Sequence, residues 1–302
     1  MACVPPAPTP DPAALDALHR LLDGRRIAVL TGAGCSTESG IPDYRGPVTR
    51  RRARNPVQYR AFMRDPEARR RYWARAVVGW GRFAGKHPNA AHRALAALEQ
   101  AGVVRGLVTQ NVDRLHQRAG SSAVVELHGA LAEVRCTACH HVEPRGAVQR
   151  RLLALNPGWT ELHAEMAPDG DAELPADLIA RFRVAACLGC GGFLKPNVVF
   201  FGENVPRERV ERAHRLVEAA EVLLVVGSSL AVFSGYRFVK RAAALGLPIA
   251  IVNLGESRGD PHAQVLVQGR AGDVIPRLME ATRSAGPPWD SAGSRHASKA
   301  AG

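Results

Sequence analysis

The sequence predicts an α/β fold, in which a doubly wound parallel sheet is covered by helices on both faces. Short apolar runs of four or five residues alternate along the chain with segments of helical periodicity, as expected for strands buried on both sides. The first apolar run is followed by TGAG, a glycine-rich turn typical of the step from a strand into a helix. Residues 47–83 and 133–194 interrupt the alternation and predict a smaller, discontinuous domain.

The first predicted helix carries Leu15, Leu18 and Leu22 on one face and ends at Gly24, a residue type that commonly closes helices. Further helices are predicted at residues 89–101, 207–219, 234–244 and 274–281. Strands are predicted at the short apolar runs, which are residues 27–30, 107–109, 124–127, 198–201, 222–226, 249–252 and 265–267. Residues 1–12 are expected to be a flexible leader and residues 284–302 a disordered tail, because neither has a periodic apolar pattern.

Length and composition limit the class of protein. The 302 residues give room for about two domains. We expect the α/β domain to comprise residues 13–46, 84–132 and 195–283, and the smaller domain to comprise residues 47–83 and 133–194. No apolar run approaches the ~18 residues of a membrane span, and the N-terminus carries no secretory pattern. A cytoplasmic protein without a membrane partner is therefore expected.

The formal net charge of +12 attracts nucleic acid, anionic cofactors and acidic substrates, and it does not distinguish among these three classes of partner. Much of this charge is arginine in an alanine-rich chain, which codon usage alone could produce. Nucleic acid is therefore not expected to be the main partner. The sequence gives no indication of the oligomeric state.

Two Cys-x-x-Cys pairs predict a metal site. They are Cys136 with Cys139 and Cys187 with Cys190. Four thiolates give tetrahedral Zn²⁺ with no open position, which is the arrangement of a structural metal. The 47 residues between the pairs exceed the usual gap, and the excess around residues 156–177 is expected to be an acidic surface insertion. Cys35 is interpreted as a small buried hydrophobe.

The TGAG turn alone has two interpretations. Glycines at Gly32 and Gly34 let backbone N–H groups approach a phosphate, but a plain tight turn has the same composition. The next glycine, Gly40, comes six residues after Gly34, which departs from the usual dinucleotide-binding spacing.

The longer motif around this turn, GAGCSTESGIPDYRG at residues 32–46, resembles the signature of the sirtuin family of NAD-dependent protein lysine deacylases. Further blocks resemble family motifs in the family's order: TQNVDRLHQRAG at 109–120, ELHG at 126–129, LKPNVVFFGENVP at 194–206, GSSLAVFSGYRF at 227–238 and IVNLG at 251–255. The resemblance covers residues 15–283, and PDYR with RRRYWARAVVGW is similar to class II members. It implies a Rossmann-like NAD-binding domain, a zinc-binding and helical domain, NAD, and one structural Zn²⁺.

The resemblance also implies roles for individual residues. His128 takes the position of the general base, with Asn111 as a second catalytic residue, whereas His116 is interpreted as structural. The residues expected to hold NAD are Gly32, Ala33, Gly34, Ser36, Thr37, Asp43, Tyr44, Arg45, Gln110, Asn111, Asp113, Gly227, Ser228, Ser229, Asn253, Gly255 and Ala271. Asn and Asp are also residue types that commonly cap helices, so Asn111 and Asp113 could cap a helix and bind NAD at the same time. An imidazole near neutral pKa would suit a base at position 128.

The implied substrates are acylated-lysine proteins or peptides, which add as a strand along Val199, Phe200 and Gly202, opposite residues 231–234. The implied reaction transfers the acyl group from lysine to ADP-ribose and releases nicotinamide. Protein ADP-ribosylation is an alternative, as are a non-catalytic NAD-binding regulator and a basic zinc-ribbon nucleic-acid binder. A further alternative is a deacylase for longer or acidic acyl chains, in which Tyr72 and Arg75 read a carboxylate; simple packing and solvation explain the same two residues.

Overall fold

The computed structural model describes residues 8–43, 57–159 and 174–284, with side chains to residue 279. The helices are α1 Pro12–Leu22, α2 Tyr59–Arg64, α3 Pro66–Ala84, α4 Ala90–Gln100, α5 Leu115–Arg118, α6 Arg145–Leu155, α7 Ala176–Ala180, α8 Arg207–Glu218, α9 Phe233–Ala244 and α10 Ala271–Ser284. The strands are β1 Ile27–Thr31, β2 Val104–Thr109, β3 Val124–Glu126, β4 Gly129–Cys136, β5 Val142–Pro144, β6 Leu194–Val198, β7 Val222–Val226, β8 Ile249–Asn253 and β9 Val265–Gln268. The predicted tail after its first residue, Ser284, lies outside the described residues, as do most of the leader and most of the acidic segment.

The predicted parallel sheet is confirmed. Six strands lie in the order β3-β2-β1-β7-β8-β9, and every neighbouring pair is parallel. All five residues of β1 and of β7 are buried, as their continuous apolar sequences predict. The direction in which the chain adds strands reverses between β1 and β7, and α/β proteins bind ligands in the crevice at such a point.

Helices cover both faces of this sheet. Alternate residues of β1 divide between two apolar cores, with Ile27 and Val29 in one and Ala28 and Leu30 in the other. The first core packs against α1, α4 and α10, and the second against α8 and α9. In α1 the Asp11 side chain accepts the N–H of Ala13 at 3.1 Å, which fixes the start of the helix.

A second, antiparallel sheet has the strand order β5-β4-β6. The expectation of a strand at residues 198–201 within the parallel alternation is wrong, because the strand is Leu194–Val198 and it pairs antiparallel with β4. Phe201 instead forms an isolated parallel bridge with Gln58. An apolar run shows that a segment is buried, but its strand partner is decided by distant residues.

The smaller core lies between this sheet and the helices α2, α3 and α6. Its fully buried members include Phe62, Trp73, Leu152 and Leu194. The Trp73 indole N–H donates to the carbonyl of Leu194 at 3.1 Å and so joins α3 to β6. The expected boundary between the two domains at residues 132 and 133 falls inside strand β4, which is continuous there. The limits of the two domains therefore stay a prediction. Among the described helices, none combines the length and apolarity needed to cross a membrane.

Candidate functional site

The loops after β1 and β7 touch at the crevice between these strands. A methyl group at Gly32 would lie 2.7 Å from Ser228 Cβ, and one at Gly34 would lie 2.9 Å from Gly227 Cα. The N–H groups of Gly32 and Gly34 donate to Val226 and Gly227 carbonyls at 3.0 and 2.9 Å. The glycines therefore allow two loops to approach, and these two N–H groups are engaged within the chain. The expected role of these N–H groups in holding a phosphate stays a prediction.

We expect Gly227→Ala to destabilise the protein by about 2 kcal/mol more than Gly246→Ala. Both glycines have left-handed φ angles, +61° and +68°, so the backbone strain of the two variants is matched. A methyl at Gly227 would collide with the backbone nitrogen of Cys35, whereas nothing lies within 4 Å of one at Gly246. Urea unfolding of both variants measures the difference. Equal losses of stability would show that the loops are free to separate.

Polar side chains after β2 face the same crevice. The Gln110 amide donates to the Ser228 hydroxyl at 2.8 Å, and the Asn111 amide donates to the carbonyl of Gly32 at 3.0 Å. Ser36 Oγ accepts from Asn111 at 3.1 Å and donates to the Asp113 carboxylate at 2.7 Å. Residues from three loops thus form one hydrogen-bonded group at the carboxyl ends of β1, β2 and β7.

Asp113 has a structural part as well. Its carboxylate accepts the N–H of Leu115, the first residue of α5, at 2.9 Å, although the N-cap residue of that helix is Arg114. Burial raises the pKa of the Asp113 carboxyl, while the hydrogen bonds from Leu115 and Ser36 oppose the rise.

His128 lies just before β4 and reaches the same crevice. Its Nδ1 lies 2.9 Å from the carbonyl oxygen of Gln110, and its Nε2 lies 2.8 Å from the Ser234 hydroxyl. A carbonyl oxygen only accepts, so Nδ1 carries the proton and Nε2 keeps its lone pair. Burial lowers the pKa of His128 to about 4; the nearby Arg209 charge lowers it further and the Gln110 bond opposes the change. The expectation of a near-neutral pKa is therefore wrong.

Ser234 was expected only as the end of the peptide-binding segment 231–234, and its contact with His128 was not predicted. It lies in the quoted motif GSSLAVFSGYRF, and the signal was its place in the first turn of α9, where the chain turns toward the crevice. Next to it, a methyl group at Gly235 would collide with the Gln110 amide. The start of α9 therefore positions both His128 and Gln110.

His116, the competing histidine, lies behind the crevice and is 1% exposed. Its Nε2 is 3.0 Å from Thr31 Oγ1, and the centroid of its ring lies 4.7 Å from that of His92, with the two rings tilted by 53°. Burial lowers the pKa of His116 well below its usual value. This placement agrees with a structural histidine rather than a base that meets substrate.

The remaining expected NAD residues lie around the crevice. Thr37 donates to the Gly34 carbonyl at 3.0 Å, the Ser229 carbonyl accepts from Arg258, and Asn253 donates to the Gly255 carbonyl at 3.0 Å. Ala33 opens the short helical turn after β1, Ala271 begins α10, and Asp43 is half-buried. Tyr44 and Arg45 lie outside the described residues.

Glu38, which the sequence reasoning did not select, connects the β1 loop to α10. Its carboxylate accepts the N–H of Gly272 at 2.7 Å, in the first turn of that helix. A carboxylate at a helix N-terminus is stabilised by the helix dipole. This contact fixes the β1 loop to the start of α10.

The expected peptide-binding residues lie in the loop after β6; they are Val199, Phe200 and Gly202. The Val199 N–H donates to the carbonyl of His128 at 2.8 Å, and the Phe200 N–H donates to the Glu203 carboxylate at 2.8 Å. Lys195 forms an ion pair with Glu203 at 2.9 Å. The loop is thereby fixed beside His128.

Tyr72 belongs to the smaller core and is 4% exposed. Its ring packs edge-on against Phe62 at 5.5 Å and against Phe200 at 5.4 Å. Arg75 is half-buried on the same helix. The packing role of the Tyr72 ring is thus visible, and its contact with Phe200 places it next to the expected substrate loop.

The four paired cysteines form one cluster. Their sulfur atoms all lie within 4.8 Å of one another, with Cys136 and Cys190 at 3.5 Å and Cys139 and Cys187 at 3.7 Å. A tetrahedral zinc with Zn–S bonds of ~2.3 Å places its ligands about 3.8 Å apart. The donor set and its spacing therefore fit a closed zinc site. Gly192 lies against the cluster, where a methyl group would be 3.0 Å from the Cys136 sulfur.

Known proteins resemble this chain in sequence and in fold. The Sir2 family model matches residues 32–234. An NAD-dependent protein deacetylase of Bordetella bronchiseptica is 53% identical over 88% of this chain and 97% of its own length. The NAD-dependent protein lipoamidase sirtuin-4, mitochondrial, of Bos taurus is 46% identical over 91% of this chain and 89% of its own. A solved structure of Sir2 with a p53 peptide and NAD⁺ superposes with a TM-score of 0.70, at 32% identity over 89% of this chain and 99% of that one. The motifs, the strand order and these matches agree, and the chain belongs to the Sir2 family.

Proposed function

We propose that this chain is an NAD-dependent protein lysine deacylase of the deacetylase type, which transfers the acyl group of a modified lysine to ADP-ribose. The observation that carries the proposal is the His128 imidazole. Gln110 fixes its orientation, its Nε2 carries a lone pair, and it lies where the strand order reverses. The NAD-dependent protein deacetylase of Bordetella bronchiseptica, at 53% identity, supports the assignment.

NAD supplies the ADP-ribose that accepts the acyl group. The crevice between β1 and β7 would hold it, with the touching glycine loops near the pyrophosphate and the β2 loop near the nicotinamide end. The Asn111 and Asp113 side chains already form a network with Ser36, and the Gln110 amide bonds to Ser228. Some of these bonds would be exchanged for bonds to NAD. A preformed polar crevice of this kind needs little rearrangement to bind a ligand.

His128 would take the proton of a ribose hydroxyl at Nε2. Its Nδ1–H stays bonded to the Gln110 carbonyl, so the ring keeps one orientation. The same hydrogen bond would stabilise the positive charge that the ring gains with the proton. Ser234 donates to Nε2 before substrate binds and marks where the ribose hydroxyl would take its place. Asn111 would orient the nicotinamide end beside this base.

The acylated peptide would lie between the loop after β6 and the segment before α9. Phe201, Val232 and Phe233 are exposed by 36%, 38% and 53% on these two segments, an apolar lining that a peptide would cover. The related Sir2 structure contains a p53 peptide, which supports this class of partner. Zinc would hold the smaller sheet and take no part in the reaction. Because its thiolates require a reducing compartment, we also propose a cytoplasmic location.

Mass spectrometry of an acetyl-lysine peptide incubated with NAD tests the function. We expect free lysine, nicotinamide and O-acetyl-ADP-ribose in equal amounts. ADP-ribosylated peptide in place of O-acetyl-ADP-ribose would instead establish the transferase alternative. Binding of NAD without any turnover of acetyl, lipoyl, succinyl or methylglutaryl lysine would overturn the proposal.

The pH dependence follows from the burial of His128. Its pKa is lowered to about 4, so the ring is neutral above that pH and gains a proton only as the pH falls through it. We expect kcat/KM, which reports the free enzyme, to stay level from pH 8 to about 5 and to fall near pH 4. Stopped assays with a stability control at each pH measure this. An acid limb at pH 6.5 in folded enzyme would contradict it.

A preference for acidic acyl chains is a second candidate function. The contact between Tyr72 and Phe200 favours it, because it puts the start of a Tyr-x-x-Arg pair beside the substrate loop. We expect Arg75→Met to lower kcat/KM for a glutaryl-type lysine about 5- to 150-fold, which corresponds to about 1–3 kcal/mol, and to leave kcat/KM for acetyl-lysine unchanged. Arg71→Met, an exposed arginine of the same helix, is the control. A uniform loss for both substrates would show that Arg75 does not contact the acyl end.

A further inference from the structure

A second group of metal-ligating side chains lies behind the β1 loop. Cys35, His92 and His116 are buried, and the cysteine sulfur and one ring nitrogen of each histidine all lie within 4.8 Å of one another. A zinc ion with bonds of ~2.0–2.3 Å places its ligands about 3.3–3.8 Å apart. Movements of about 1 Å by these side chains would bring them around one ion.

Each of the two imidazoles has one nitrogen that is well bonded to an oxygen and one that is weakly bonded or unbonded. His92 Nδ1 lies 2.9 Å from the Asn89 side-chain oxygen, while its Nε2 has only a 3.4 Å contact with Ser36 Oγ. His116 Nε2 bonds to Thr31, and among the described residues its buried Nδ1 has no hydrogen-bond partner. Metal-binding histidines are usually oriented in this way, with one nitrogen held by an oxygen and the other on the metal.

Charge also favours a cation at this place. Burial raises the pKa of the Cys35 thiol, and the negative charges of Asp113 and Glu38 raise it further, so a metal has to displace the thiol proton, while the same two charges attract the cation. Burial lowers the pKa of His92 to about 4, so its ring stays neutral, the form that binds metals. A divalent cation would be balanced by the Cys35 thiolate and the Asp113 carboxylate.

We propose that Cys35, His92 and His116 form a second metal site, which takes a thiophilic cation of the Zn²⁺ type and opposes NAD binding. On binding, the Cys35 thiol gives its proton to water, and the thiolate sulfur that remains bonds to the metal. No oxidant or reductant is needed. Ser36, the next residue, bonds to Asn111 and Asp113 in the proposed NAD site. Movement of Cys35 onto a metal would therefore disturb the NAD-binding network.

The ligands sit on elements that can open locally. Cys35 ends a three-residue 3₁₀ turn, and His116 belongs to the four-residue helix α5. Short elements of this kind open at a smaller free-energy cost than the central strands. A metal ion can thus reach a site that is closed in the resting fold.

Zinc counted on the full-length protein tests the site. The protein is equilibrated with buffered free Zn²⁺, and bound zinc per chain is measured by mass spectrometry of the metal. We expect two zinc ions in the wild type and one in Cys35→Ala, which keeps the four-cysteine site. Cys35→Ser is a second variant in case the alanine variant unfolds, and His87→Ala, an exposed histidine, should still bind two.

The coupling rests on the proposed NAD site, whereas the metal count does not. We expect the second zinc to weaken NAD binding at least tenfold in the wild type and not in Cys35→Ala, measured by calorimetry. One zinc in the wild type, or two in both proteins, would overturn the site. A second zinc with unchanged NAD affinity would overturn the coupling. Retention of Cu⁺ but not Zn²⁺ would overturn the assignment to zinc.

Discussion

His128→Ala is expected to lower turnover by a factor of about 10²–10⁴ while NAD binding persists. The imidazole is the group whose Nε2 can accept a proton in the crevice, because Nδ1 is held by the carbonyl of Gln110. The His128 ring bonds to Gln110 and Ser234, whereas the contact between the glycine loops is made by other residues. Removal of the ring should therefore leave the two loops in contact. Single-turnover rates and NAD calorimetry on the same preparation measure the two effects.

Two further variants make this result specific. His87→Ala removes an exposed histidine and should leave turnover unchanged. Ser234→Ala removes only the hydroxyl that contacts Nε2, and it should reduce turnover by less than about tenfold because the Gln110 contact remains. Wild-type turnover in His128→Ala would end the assignment of the base.

Removal of one zinc thiolate is expected to unfold the smaller sheet. Cys187 is buried, and its N–H donates to the carbonyl of Gly192 at 2.9 Å in the turn that presents the second cysteine pair. Structural zinc contributes about 10–16 kcal/mol to the folding of small zinc-binding peptides, so Cys187→Ala should release the metal and the turn together. Hydrogen exchange should then show loss of protection in β4 and β6.

The parallel sheet is expected to survive this change. Its two apolar cores contain no described residue from 133–194, so the loss should stop at the smaller core. Cys35→Ala is the matched control, since it replaces a buried cysteine outside the four-thiolate cluster and should keep the structural zinc. A folded, zinc-free Cys187→Ala protein with normal protection in β4 would mean that the cysteine pairs have another role.

The local elements were predictable because their causes are local. Residues 222–226 form β7 as predicted, since five consecutive apolar residues bounded by polar ones suit a strand buried on both faces. α1 was placed by its leucine spacing and α4 ends near Gly102, as the sequence indicates. Strand β2 begins at Val104, three residues earlier than predicted, because the exposed Arg105 and the buried Gly106 interrupt the apolar run in the sequence.

For the site, the sequence predicted which residues belong to it but not the contacts between residues that are distant in the chain. The motifs brought Ser36, Asn111, Asp113 and His128 to attention, and the structure does gather the first three into one network. Sequence could not show that the Gly32 and Gly34 N–H groups are used by the β7 loop, nor that Ser234 faces His128. These contacts depend on which strands become neighbours.

The sequence by itself determined the parallel sheet, the four zinc thiolates and the family, because periodicity, Cys-x-x-Cys spacing and motif order are properties of neighbouring residues. Only the tertiary structure decided that β6 pairs antiparallel with β4, that burial lowers the pKa of His128 to about 4, and that Cys35 meets His92 and His116. Strand pairing, desolvation and contacts between distant residues arise when the chain excludes water and packs, so they are set by the whole fold rather than by any one segment.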